Sequence, residues 1–171
     1  MSYWQIFNAR ALPNAICLTV AMFFCNQAVL AKDPPSDACT MLPAAQLAKV
    51  LEQPYGAPVP SKAPAAFRNS PTGTDCTYQA AKGRSRQLLF RIYVESSPAA
   101  AKETFKKLSA FYGPNTDVPG DWDTAYMDAR HAIHAQKGKV RYFLSLAPVG
   151  VDAARTEKQL KDLAAWVAGQ L

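Results

Sequence analysis

Apolar residues recur along this chain at two periods, and the switches between them mark its elements. Leu88, Phe90, Ile92 and Val94 alternate with Leu89, Arg91, Tyr93 and Glu95. Period two predicts a strand over 87–95 with one face on a core. Val140, Tyr142, Leu144 and Leu146 repeat the pattern, and Lys137-Gly138 turns the chain just before them. Between the two lies a different rhythm: Ala101, Phe105, Leu108 and Tyr112 step by three and four, the stripe of an amphipathic helix.

The boundaries agree with this rhythm. Ser97-Pro98 supplies a capping hydroxyl and a proline suited to the first helical turn, and Gly113-Pro114 ends the helix. Asp152 caps a last helix that turns Leu160, Leu163 and Val167 inward and stops at Gly169. A first helix is predicted over 43–51, with Ala44, Leu47 and Leu51 on one side and Pro54 and Gly56 as breakers. Residues 76–80 read as a strand that turns back through 82–85 into the 87–95 strand. Two more strands are predicted near 123–127 and 130–136. Residues 54–74 carry Pro54, Pro58, Pro60, Pro64 and Pro71, a density that predicts a long irregular loop.

The resulting order is α-ββ-α-βββ-α, an α+β fold. Short turns between neighbouring strands imply an antiparallel sheet of about five strands with helices packed on it. The two halves are similar in form, which suggests a structural duplication.

The amino terminus changes the picture of where the chain works. Arg10 precedes the apolar run Ala15–Cys25, and Val29-Leu30-Ala31 places small residues where a signal peptidase reads. This predicts a signal peptide over 1–31, since the run is too short for a membrane span of about 20 residues. A flexible tail over 32–38 and a single domain over 39–171 follow. Met22-Phe23-Phe24 is a poor lead-in for a lipidated Cys25, because lipoprotein signals want small residues there. Of four cysteines, Cys17 and Cys25 leave with the leader. Cys39 and Cys76 remain, and an even pair in an exported chain predicts a disulfide.

With Arg10 gone, 19 basic residues become 18 against 13 acidic ones, a net +5. The bases are scattered, with one small cluster at Lys82-Gly83-Arg84-Ser85-Arg86. Nucleic-acid binding needs a concentrated stripe with stacking aromatics, so it is not expected.

Four short segments carry a family resemblance. Cys39-Thr40-Met41-Leu42-Pro43-Ala44-Ala45-Gln46-Leu47 resembles the cysteine, proline-alanine and helix opening of small exported bacterial proteins. These include actinobacterial lipoproteins with a PsbP-like α/β sandwich. Asp75-Cys76-Thr77-Tyr78 resembles their second cysteine at the start of the first strand. Pro119-Gly120-Asp121-Trp122-Asp123-Thr124-Ala125-Tyr126 resembles the segment before their hairpin, and Lys137-Gly138 their hairpin turn. The resemblance spans most of 38–168. It implies a PsbP-like sandwich and a cell-envelope location, and it carries no catalytic residues. The chain departs from the pattern in having no expected lipidation cysteine and at Leu42, where the family often has a capping Ser or Thr.

Candidate chemistry is sparse. His131 and His134 lie three apart in a strand and should point to opposite faces, against a shared metal site. Asp117, Asp121, Asp123 and Asp128 lack the central glycine and closing glutamate of an EF-hand. No nucleophile elbow surrounds Ser145, and no P-loop or dinucleotide fingerprint is present. No metal or cofactor is therefore expected. The chain reads as an exported, soluble, non-enzymatic binding or accessory protein, periplasmic or secreted. Its expected partner is an envelope protein or glycan. The alternatives are a small-ligand or metal-binding periplasmic module, and then a hydrolase. Surface recognition would fall to Tyr55, Phe67 and Trp122, expected to form one aromatic patch from the 54–74 and 113–123 loops.

Overall fold

The computed structural model describes residues 36–81, 86–147 and 152–171. The leader and the 82–85 turn lie outside the described residues. The elements run α1 (Ala38–Met41), α2 (Ala44–Leu51), β1 (Val59–Ala63), β2 (Gly73–Gln79), β3 (Gln87–Val94) and α3 (Pro98–Tyr112). Then come β4 (Thr116–Asp117), β5 (Thr124–Met127), β6 (Ile133–Lys137), β7 (Val140–Ala147) and α4 (Ala153–Ala168). The strands form one antiparallel sheet in the order β1-β2-β3-β7-β6-β5-β4. The fold is α+β, and the described residues belong to one unit.

The sheet has seven strands instead of about five, and both additions are edges. β1 runs through the proline-dense segment, with Pro60 opposite Cys76. A proline lacks a ladder donor, but an edge strand has one side with no neighbour to donate to. β4 is two residues long, too short to show any alternation.

Alternation separates the two faces. Leu88, Phe90, Ile92, Ala125, Ile133, Ala135, Tyr142, Leu144 and Leu146 face α1, α2 and α4, where Leu42, Leu47, Leu51, Leu160, Leu163 and Val167 complete the core. Two tyrosines tie helices to that face: Tyr142 Oη donates to Ala164 O at 3.0 Å, and Tyr78 Oη donates to Leu42 O. Burial pushes both phenols' pKa upward. α3 packs on β6 and β7 from the opposite side, Phe105 meeting Tyr126 edge-on at 5.1 Å. The sheet is therefore covered on both faces, fully by three helices and partly by one.

The caps act as the local sequence dictates. Ser97 Oγ accepts from Ala100 N at 3.1 Å and Asp152 Oδ1 from Arg155 N at 2.9 Å. Cys39 and Cys76 are bonded, clasping α1 to β2. The segment expected as a tail is already docked at its end: Thr74 Oγ1 accepts from Ala38 N and donates to Ser36 O.

Candidate functional site

The second face of the sheet carries the charged and aromatic residues that alternate with the core. One transverse row runs Asp75, Arg91, Phe143, His134, Tyr126 across β2, β3, β7, β6 and β5, each directly opposite the next. The next row runs Tyr93, Arg141, Gln136, Thr124. α3 lies over the β6 end of these rows and the 64–67 loop over the β3 end. Between them is a cavity of about 380 Å³, lined by Pro64, Ala66, Phe67, Arg91, Tyr93, Phe105, Leu108, Phe111, Tyr112, His134, Arg141 and Phe143.

Three basic side chains face this cavity, and each is anchored by a carboxylate that does not line it. Arg91 Nε and Nη2 donate to the two oxygens of Asp75 at 2.6 and 2.7 Å. Arg141 Nε and Nη2 both donate to Glu95 Oε1, at 2.8 and 2.5 Å. His134 Nε2 lies 3.1 Å from Asp128 Oδ2. An ionised carboxylate only accepts, so Nε2 carries a hydrogen and Nδ1 is the ring's open position. Exposure differs sharply among them: the Arg91 side chain is 25% accessible and Arg141 only 3%. The Arg141 guanidinium sits 4.6 Å from the Tyr93 ring centre, a cation–π arrangement.

Aromatic packing sets the shape. His134 stacks on Tyr126 at 4.6 Å and also touches Tyr112 and Phe143 at 5.0 and 4.8 Å. Tyr93 Oη donates to Pro64 O at 2.9 Å, which ties the roof loop to the floor. Gly73 makes room for that ring. A Cβ there would stand 2.4 Å from Ile92 O and 2.8 Å from the Tyr93 ring, closer than real atoms approach. At the mouth, Phe111 is 75% exposed and Phe67 36%.

Asp128 links the site to its hairpin. Oδ1 accepts from Arg130 N at 2.9 Å and Ala132 N at 3.0 Å, closing the β5–β6 loop, where His131 adopts φ +59°. Burial pushes the carboxyl's pKa up. The His134 contact and the two backbone donors outweigh it and hold the pKa below its ordinary value. The ionised form thus stabilises the fold above the unfolded-state pKa of about 3.9, and that contribution is lost as pH falls through this range. Asp128→Asn is expected to cost about 1–2 kcal/mol at pH 7. Urea titrations of both proteins should show the gap narrowing below about pH 4.

The three residues expected to form one patch are not brought together. Tyr55 is buried in the helix-side core, bridges Ala80 and accepts from Gln53 Nε2 at 2.7 Å. Trp122 packs half-buried on the same core, beside β5, with its indole N–H donating to Val118 O at 2.8 Å. β3, β7 and β6 lie between them in the sheet. Both rings pin loops to the core. Phe67 alone reaches the cavity, on the other face. Only His134 lies in a strand: β6 begins at Ile133, and His131 sits in the loop before it, its Nδ1 meeting Glu157 Oε1 at 2.8 Å, so the loop and not strand alternation separates the two rings.

Arg91, Tyr93, Arg141, Phe143 and His134 do not read as a group in the sequence, because β3 and β7 are neighbours in the sheet but far apart in the chain. Their signal was an outward face too aromatic for water. No protein-family model matches the chain, and no curated protein matches it in sequence.

Proposed function

We propose that this chain is an exported, non-enzymatic protein that holds a small, largely apolar molecule between α3 and the sheet. The observation that carries it is the cavity. Its volume falls within the roughly 300–1,000 Å³ typical of small-molecule sites, and it combines aromatic walls with a few convergent polar groups. His134 is ringed by Asp128, Tyr112, Tyr126 and Phe143.

Export to the periplasm or beyond is supported by the leader pattern and by a disulfide, a bond that persists in oxidising compartments. Among the described residues no helix is long and apolar enough to cross a membrane. Kinship with the exported actinobacterial lipoproteins and their PsbP-like sandwich rests on the quoted motifs, and a sheet layered between helices supports it. Recognition of an envelope protein or glycan remains a second use of the same place, favoured by the exposed Phe67 and Phe111 rings at the mouth.

The neutral dye N-phenyl-1-naphthylamine tests the cavity. Its fluorescence should rise and saturate near one dye per chain. Leu108→Trp, which fills the half-buried wall of α3, should abolish the rise while circular dichroism stays unchanged. An unsaturable rise, or an unaffected folded variant, would place binding elsewhere.

A further inference from the structure

We propose that the cavity's ligand is a small organic anion: an apolar or aromatic body among the rings, with its anionic head on Arg91. This rests on the cavity being a ligand site. The argument comes from which side of each ion pair faces inward. Arg91, Arg141 and His134 line the cavity, while Asp75, Glu95 and Asp128 do not. The two arginine pairs are neutral as units, yet each turns its guanidinium toward the cavity and its carboxylate away from it. A guanidinium has five N–H donors. Arg91 spends Nε and one Nη2 hydrogen on Asp75, which fixes its plane; the Tyr93 hydroxyl is a further hydrogen-bonding neighbour, and the N–H groups left over are those a ligand can meet. It is also the accessible one of the two arginines, while Arg141 stays sealed behind Tyr93 as a fixed positive charge. A charge-assisted hydrogen bond from a pre-oriented arginine in a half-enclosed site is stronger than one formed in open water. A cationic head would meet two guanidinium groups, and a neutral head would forgo the charge.

Chain-matched amphiphiles separate these cases: decanoate, decyltrimethylammonium and decyl maltoside, each below its micelle concentration, displacing N-phenyl-1-naphthylamine. Decanoate should displace the dye at least about tenfold more tightly than either other, a difference one charge-assisted contact supplies. Arg91→Gln would leave Asp75 buried and alone. The double variant Arg91→Gln/Asp75→Asn avoids this, and it should bring the decanoate-to-maltoside ratio close to one. If the maltoside or the ammonium competes as well as decanoate, or the double variant keeps the preference, the anion assignment is overturned and the cavity remains a ligand site. If the dye never binds saturably, both fall together.

Discussion

Glu95→Ala is expected to lower folding stability by about 3–5 kcal/mol, the cost of leaving one member of a buried ion pair alone. Glu95 and Arg141 side chains are 5% and 3% accessible. Both guanidinium bonds end on one Glu95 oxygen, so truncating that residue strips Arg141 of its carboxylate at a stroke. The remaining charge would be trapped under the Tyr93 ring. That ring, whose hydroxyl ties the roof loop at Pro64, shields the charge from water. The double replacement Glu95→Leu/Arg141→Met removes both charges together. It should cost far less, because exchanging a buried pair for apolar side chains of similar size is often nearly neutral. Urea denaturation of the three variants at pH 7 decides the matter. A loss under about 1 kcal/mol for Glu95→Ala would mean that solvent screens the pair and the cavity floor is open.

The parts of this fold that are legible in sequence are those written by local chemistry. Ser97-Pro98, Asp152 and Gly169 mark helix ends because a cap is satisfied within one turn of chain. β3 and β7 are legible because a strand buried on one face must alternate. β1 is hidden, since an edge strand tolerates Pro60 and its exposed residues obey no pattern. The site is hidden for a different reason. Arg91, Tyr93, Arg141 and Phe143 are easily seen as the outward face of their strands. Only tertiary structure shows that α3 roofs that face. A hint was present: Tyr93, Tyr126 and Phe143 are too many rings for a water-facing surface, and Phe111 lies outside the buried stripe of α3. Tyr55 and Trp122 mislead in the opposite sense. They sit beside prolines and glycines, where exposure is the natural expectation, and they serve as the anchors that hold irregular loops on the core.

Loss of the Cys39–Cys76 bond is expected to cost about 4 kcal/mol. The two cysteines are separated by 37 positions, and closing a loop of that size removes roughly this much chain entropy from the unfolded state. That segment contains α2, β1 and the roof loop of the cavity. β1 is an edge strand with four exposed residues of five, so hydrophobic burial does little to hold it. The bond fastens α1 to β2 instead, beside the Thr74 hydroxyl that already ties down Ser36 and Ala38. Cys76 is fully buried and Cys39 only half so. Cys39→Ser/Cys76→Ala is therefore the cleaner replacement, since a serine at 76 would add an orphaned hydroxyl. The melting temperature should fall by on the order of 10 °C or more. The urea m-value should rise, because an uncrosslinked unfolded chain exposes more surface. Reducing the native protein should reproduce the shift. A thiol titration that finds two free cysteines in the oxidised native protein, or a melting temperature indifferent to reduction, would remove the bond from the account of this fold.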